Sequence, residues 1–179
     1  MIKHRVTLMN ADTQLKQLCL EAAEGKYGSP LPDLVHERLE KELGAIKASG
    51  HASQYLIGAM IVEYSLQNGY PVITRGLTGS AFVSNLCKIS KVNPLPAHYW
   101  CPKCHHFEIV EGGYENGRLM GYDLPDKTCS KCGTDLNGDG ADIEPEISMG
   151  INLDREPDIN LNVAAEIRPE LIAFIKKKK

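Results

Sequence analysis

The feature that most constrains this chain is a set of four cysteines arranged as two C-x-x-C pairs. Cys101 pairs with Cys104 and Cys129 with Cys132, and 24 residues separate the two pairs. A C-x-x-C turn points two sulfurs at one place, and two such turns together form a closed tetrahedral site that suits zinc. Because sulfur fills all four positions, we expect a structural zinc and not a catalytic one.

Residues beside the two pairs fit the same interpretation. Gly133 follows the second pair and permits the left-handed turn that such sites use. With four cysteines available, we expect His105 and His106 to be surface residues rather than ligands. A redox pair or disulfides would be the alternatives, but neither explains two paired motifs. The first residues lack the apolar stretch of a secretory signal, so we expect a cytoplasmic protein.

Composition supports an insertion within one globular unit. Residues 97–140 are rich in glycine, aspartate and turn residues, and we expect that hydrophobic burial alone could not fold them. The chain has 179 residues, a length typical of one domain with a small insertion. No apolar run approaches the roughly 18–20 residues that span a bilayer. A formal net charge of −3 gives no electrostatic argument for tight nucleic-acid binding.

Apolar periodicity predicts mainly helices, with a few short strands. The predicted helices are a weak one within 1–28, one over 32–48, a more buried one from His51 to a stop at Asn68-Gly69, a short one over 81–90 and a last one from Pro169. The predicted strands are 70–74, 146–153 and 158–162. Cys19 and Cys87 lie in apolar segments and are expected to be ordinary buried thiols.

A glycine-rich turn follows the predicted strand 70–74. Its notable residues are Arg75, Gly76, Gly79 and Ser80. Glycines let backbone N–H groups approach a phosphate, the next helix adds partial positive charge at its N-terminus, and Arg75 could supply a bidentate contact. Most turns of this kind only reverse the chain, so a tight turn without a ligand stays open as the alternative.

Asp158 and Asn160 stand two residues apart in the predicted strand 158–162. Residues i and i+2 share one face of a strand, and two carboxylates placed in this way can hold magnesium for phosphoryl transfer. Here the second position is an amide, which carries no charge, so the affinity for a cation should fall. Taken by itself, a D-x-N pattern is ordinary.

The order of these motifs, and the peptides between them, resemble one family. The resemblance is carried by YGSPLPDLVHERLEKEL, VITRGLTGSAFV, VNPLPAHYWCPKC, YDLPDKTCSKCG and EPDINLN. These segments are similar to the PolC-type alpha subunit of bacterial DNA polymerase III, and the similarity covers roughly Tyr27 to Asn162. The peptides around the cysteines, NPLP-x-HY-x-CP-x-C and DLPDKTC, are not generic patterns.

In that family this stretch is the first part of the palm domain, which has the nucleotidyltransferase fold shared with polymerase beta. The resemblance implies that Gly79 and Ser80 form the turn that approaches the triphosphate of the incoming nucleotide, with Arg75 nearby. It implies that the four cysteines hold the family's zinc and that Asp158 is the first magnesium-binding aspartate. DNA and deoxynucleoside triphosphates are the implied partners, and other replication proteins are candidates.

The predicted fold class is α+β, a partial polymerase-beta-like palm with N-terminal helices and a four-cysteine, zinc-ribbon-like insertion. The predicted segments are a helical lead-in (1–30), the helices and strand–turn–helix unit of the palm (31–96), the zinc-binding insertion (97–140), palm strands with the acidic motif (141–165), and a C-terminal helix with a lysine tail (166–179).

The chain departs from the family pattern in ways that matter for activity. The family has D-x-D where this chain has Asp158 and Asn160, and its turn usually carries extra serines where this chain has Leu77 and Ala81. After Asn162 the match stops, whereas the family continues through a third carboxylate, fingers and thumb. We therefore expect a truncated palm segment that does not synthesise DNA by itself.

Two other hypotheses stay open. The chain could be a non-catalytic, zinc-stabilised module that binds nucleic acid or a replication protein. It could also be a nucleotidyltransferase that obtains its missing carboxylates from a partner chain. A palm segment would expose apolar faces that neighbours otherwise cover, so we also consider self-association.

Overall fold

The computed structural model describes residues 7–111, 120–144 and 156–177. Within these ranges, helices combine with two small antiparallel sheets, so the fold is α+β. The elements are α1 (Ala11–Tyr27), α2 (Asp33–Ser49), α3 (Ala52–Gln67), β1 (Ile73–Arg75), α4 (Phe82–Leu86), β2 (His98–Trp100), β3 (Phe107–Ile109), β4 (Asn137–Asp139), β5 (Asn160–Asn162) and α5 (Arg168–Lys176), with 3-10 turns at Gly76–Ser80 and Gly121–Asp123.

The core forms around one face of α1. The buried residues of this helix are spaced by four: Leu15, Cys19, Ala23 and Tyr27. This spacing makes a single apolar stripe, along which α1 contacts α2, α3 and α4. The helix predicted over 32–48 is α2, which spans Asp33–Ser49 and is followed by Gly50.

Helix α3 is the more buried helix that its composition predicted, and it ends at the predicted stop before Asn68 and Gly69. It packs between α1 and α5. The rings of Tyr64 and Phe174 stack with centroids 4.5 Å apart, which holds α5 against α3. None of the helices in the described ranges is long and apolar enough to cross a membrane.

Two separate sheets follow the helices. Strand β1 pairs antiparallel with β5, so that Arg75 lies opposite Asn160. The strand predicted over 70–74 begins only after Pro71, which has no N–H to donate to a ladder. The second sheet has the order β3-β2-β4 and lies within the predicted insertion. The predicted strand 146–153 lies outside the described residues.

A buried carboxylate on α2, paired with an arginine of the same helix, connects α2 to the start of α4. The Glu42 side chain is fully buried, and Arg38 Nε donates to its Oε1 at 2.6 Å. The backbone N–H groups of Phe82 and Val83 donate to the same carboxylate at 3.0 and 2.9 Å. Glu42 therefore caps the first turn of α4. Burial raises the pKa of Glu42, and the hydrogen bonds from Arg38 and the two N–H groups oppose that rise.

The predicted insertion is docked on the helical core through a buried polar network at the end of α1. Asn93 Nδ2 donates to the Tyr27 hydroxyl and to Asp139 Oδ2, each at 2.8 Å, and Lys26 pairs with the same carboxylate. His98 Nδ1 lies 2.7 Å from a backbone carbonyl oxygen and so carries the proton, which leaves Nε2 to accept from the Tyr27 hydroxyl at 3.3 Å.

The chain leaves the insertion beside the point at which it entered. Ala141 N donates to Asn93 O at 2.8 Å, and Asp142 N donates to Leu95 O at 2.9 Å. Arg38 adds a bond from its Nη2 to Ile143 O at 2.9 Å. The two ends of the insertion are thereby fixed to each other and to α2.

Replacing Glu42 should be strongly destabilising. Glu42→Ala leaves the Arg38 guanidinium and two backbone N–H groups without their acceptor, and we expect a loss of about 3–5 kcal/mol in the free energy of unfolding. The control is Glu40→Ala on the same helix, which removes a half-exposed pair with Lys16 and should cost less than about 1 kcal/mol. Denaturant unfolding measures both, and equal losses would contradict the capping role.

Stability should also depend on the protonation of His98. Burial lowers the pKa of His98 below its usual 6.5, so near neutral pH the unfolded chain binds this proton more readily than the folded one. The free energy of unfolding should therefore fall as the pH drops below about 6.5. Denaturant unfolding at about pH 7.5 and 5.5 measures this change. The free energy of unfolding should change less between the two pH values in His98→Gln than in the control His36→Gln, which replaces an exposed histidine.

Candidate functional site

The structure brings the four predicted cysteines together. Their sulfurs all lie within 4.8 Å of one another. Cys101 Sγ is 3.4 Å from Cys132 Sγ, and Cys104 Sγ is 3.6 Å from Cys129 Sγ. A tetrahedral zinc with bonds of about 2.3 Å separates its sulfurs by about 3.8 Å, so the arrangement fits that metal.

Each pair of cysteines sits on the same kind of turn. His105 N donates to Cys101 O at 3.0 Å, and Gly133 N donates to Cys129 O at 2.9 Å. The residue after the second cysteine is left-handed in both turns, with φ of 57° at His105 and 70° at Gly133. The sequence predicted this conformation at Gly133, whereas His105 adopts it as a non-glycine residue.

One of the thiols is already biased toward the thiolate. The Thr134 hydroxyl lies 3.4 Å from Cys132 Sγ, and this hydroxyl together with the Thr134 backbone lowers the pKa of Cys132 to about 6. A thiolate is the form that binds a metal. The donor set, its geometry and this pKa therefore suit a closed tetrathiolate site.

His105 connects the cysteine cluster to helix α1. Its Nδ1 lies 3.1 Å from the Lys26 carbonyl oxygen. A Cβ on Gly28 would lie 2.8 Å from His105 Cβ, so only glycine fits where the helix ends. His105 is accordingly a half-buried docking residue beside the cluster. The sequence predicts only a surface position for His105, although the glycine at the end of the helix is a signal of this closer contact.

The pairing of β1 with β5 brings the glycine turn and the acidic motif together. Buried Thr78 lies in the turn, and its hydroxyl donates to Arg75 O at 3.0 Å and lies 3.4 Å from Asp158 O. Asn160 N donates to the same hydroxyl at 3.2 Å. No local pattern in the sequence marks Thr78, although its hydroxyl joins the two motifs.

The side chains of the acidic motif contact each other. Asp158 and Asn160 are both exposed, and Asn160 Nδ2 donates to Asp158 Oδ1 at 3.1 Å. The amide thus presents its nitrogen to the carboxylate. An aspartate at position 160 would instead present oxygens, which are the ligands that magnesium prefers.

The turn residues differ in exposure. Arg75 and Gly76 are exposed beside Asn160, whereas Ser80 is buried, with its carbonyl accepting from Arg38 at 3.1 Å. A Cβ on Gly79 would lie 3.0 Å from Val92 Cβ, so packing favours a glycine there. The exposed part of the turn is the part that a ligand could reach.

Comparison with known proteins identifies relatives along nearly the whole chain. The profile of the family described as "Bacterial DNA polymerase III alpha NTPase domain" matches residues 13–178. The similarity therefore continues beyond Asn162, which corrects the expectation that it stops there. DNA polymerase III PolC-type of Caldanaerobacter subterraneus is 47% identical over 159 residues, which are 89% of this chain and 11% of that protein. The PolC-type proteins of Thermotoga maritima and Bacillus subtilis are each 43% identical, over 97% and 93% of this chain and 12% and 11% of their own lengths.

The chain therefore spans about a tenth of the length of these relatives. The match to the family profile and the identity to the PolC-type proteins cover the glycine turn, the four cysteines and the acidic motif alike. The chain belongs to the bacterial DNA polymerase III alpha family.

Proposed function

We propose that the chain is a segment of a PolC-type replication polymerase palm with the nucleotidyltransferase fold shared with polymerase beta. In this proposal the exposed part of the turn, from Arg75 to Gly76, receives the triphosphate of an incoming deoxynucleotide, and Gly79 and Ser80 shape the turn. Asp158 contributes to the magnesium site, and DNA is the second substrate. Other replication proteins are candidate partners.

The observation that supports this proposal most is the contact between the turn and the acidic motif. The Thr78 hydroxyl donates to Arg75 O and accepts from Asn160 N. It also lies 3.4 Å from Asp158 O, so the acidic motif is held beside Arg75. A phosphate on the turn would therefore be close to the Asp158 carboxylate, which can share a cation with it.

We infer that the chain does not extend a primer by itself. Nucleotidyl transfer with two metals needs carboxylates that hold both ions in line with the attacking 3′-hydroxyl. Asp158 offers one, and the amide of Asn160 donates to it instead of offering a second. Losing one group that stabilises charge in the transition state typically lowers a rate by about 10²–10³.

We also propose that the four cysteines hold a structural zinc. The small apolar cluster beside them contains Tyr99 and Leu136, which gives the insertion little hydrophobic stabilisation of its own. Zinc would supply four bonds that fix both turns at once. His105 would then hold the fixed turns on α1.

Removing the metal should destabilise the chain. We expect one zinc per chain, and we expect chelation to lower the melting temperature by on the order of 10 °C, since each kcal/mol shifts a chain of this size by roughly 2–4 °C. Cys104→Ser should act in the same direction, and the control Lys103→Ser changes an exposed residue between the ligands. Circular dichroism melting measures the effect, and an unchanged melting temperature after chelation would exclude a structural metal.

Restoring a carboxylate at position 160 should strengthen cation binding. We expect Asn160→Asp to raise the affinity for Mn²⁺ by about tenfold, equivalent to about 1.4 kcal/mol, because two carboxylates then lie in contact at the start of β5. Calorimetric titration measures the affinity. The double variant Asn160→Asp with Asp158→Asn serves as the control and should return to the weaker binding of the unchanged chain.

Primer extension tests the inactivity that we infer. The unchanged chain with magnesium and deoxynucleotides should give no incorporation, because the described residues beside the turn offer one carboxylate, that of Asp158. Incorporation that disappears in Asp158→Asn would overturn that inference and favour a nucleotidyltransferase completed by a partner copy. Salt-dependent binding to primed DNA that is equal in Asp158→Asn and the unchanged chain would favour the non-catalytic binding module.

A further inference from the structure

A groove lies between α1, α3 and the end of α4, apart from the glycine turn and the cysteine cluster. Its volume is about 460 Å³. Its lining is mostly apolar and includes Leu18, Ala22, Val62, Leu66, Leu86 and Cys87. Small molecules can therefore reach the surroundings of Cys87, although this residue is only 5% exposed.

Cys87 has a second cysteine directly behind it. Cys19, on the buried stripe of α1, is fully buried, and its Sγ lies 3.7 Å from Cys87 Sγ. These sulfurs are in van der Waals contact, and a disulfide requires that they approach to about 2.05 Å. The pair is 68 residues apart in sequence and joins α1 to the residue that ends α4.

We propose that Cys19 and Cys87 form a redox-reactive pair that a peroxide oxidises to a disulfide linking α1 to α4. In the first step the Cys87 sulfur attacks one peroxide oxygen, the O–O bond breaks, and the departing hydroxide takes the proton of the Cys87 thiol and leaves as water. Cys87 becomes a sulfenic acid. Cys19 Sγ then attacks the Cys87 sulfur, the S–O bond breaks, and the hydroxide leaves as water with the Cys19 proton.

The electrons balance over the two steps. Two thiols lose two electrons in total, and hydrogen peroxide accepts them as it becomes two water molecules. The order of attack follows from position, since Cys87 lines the groove and Cys19 lies behind it. The hydrogen bond to Cys87 and burial also raise the pKa of Cys19, which disfavours Cys19 as the first nucleophile.

A disulfide between Cys19 and Cys87 would restrain α4, the helix that follows the glycine turn. Helix α4 begins at Phe82, two residues after Ser80, and it packs against both α1 and α2. A disulfide at its C-terminal end would fix α4 to α1 and remove freedom from the unfolded chain. This inference is independent of the proposed polymerase role, because it rests only on the thiol pair and the groove.

Peptide mapping of the full chain, with zinc supplied to occupy the other four cysteines, tests the proposal. Trypsin releases Cys19 in Gln17–Lys26 and Cys87 in Gly76–Lys88, and each peptide contains one cysteine. After treatment of the folded chain with hydrogen peroxide, we expect these two peptides joined and lighter by two hydrogen atoms, and reduction should separate them. The oxidised chain should also melt at a higher temperature than the reduced chain.

Two variants and one condition distinguish a specific pair from general oxidation. Cys19→Ala should leave Cys87 as a sulfenic acid that dimedone labels, whereas Cys87→Ala should leave Cys19 reduced. The same peroxide treatment in denaturant should give mixed pairings among all six cysteines. The proposal is overturned if the peptides Gln17–Lys26 and Gly76–Lys88 keep free thiols in the folded chain under peroxide that oxidises them in denaturant, or if Cys87 is oxidised without a link to Cys19. The mapping uses the unchanged chain, so it decides the question even where a variant fails to fold.

Discussion

The carboxylate of Glu42 is the group on which the arrangement of the helices and the glycine turn depends. It is fully buried, and it accepts from Arg38 and from the first two N–H groups of α4. The same guanidinium donates to Ser80 O at the end of the turn and to Ile143 O after the insertion. The ion pair on α2 thus holds the glycine turn, the start of α4 and the segment that follows the insertion. A buried pair of this kind costs desolvation energy, and its contribution here is to specify one geometry.

The second organising feature is the contact between the cysteine cluster and the end of α1. His105 meets Gly28 and the Lys26 carbonyl, while Tyr27, Asn93 and Asp139 form the adjoining polar network. Composition alone suggested an insertion that a metal holds together. The structure shows that this insertion also shares part of the main core, because Trp100 and Phe107 pack against it. A metal bound by the cysteines would therefore stabilise α1 as well as the insertion.

Local sequence patterns predicted the helices and strands better than the tertiary contacts between them. The helices α2 and α3 follow from apolar periodicity, and the meeting of four cysteines follows from two C-x-x-C turns. The contact of Asp158 with the glycine turn depends on antiparallel pairing across about 80 residues, which only the resemblance to a known family implied. Glu42 is recognisable in the sequence as a charge on an apolar stripe. Its role as a hydrogen-bond acceptor depends on where α4 lies, and apolar periodicity does not predict that position. His105 and Thr78 were missed because their partners are backbone atoms far away in sequence.

Because the insertion begins and ends at one place, the rest of the fold can tolerate changes in its length. Residues 93–95 and 141–143 run side by side and are joined by backbone hydrogen bonds, so the stretch between them begins and ends at one place. Lengthening or shortening that stretch leaves the separation of its two ends unchanged, and the elements on either side keep their register. The module can thus diverge in size among relatives or be exchanged for another, provided that the replacement still covers the ring of Tyr27 and offers a carboxylate to Lys26.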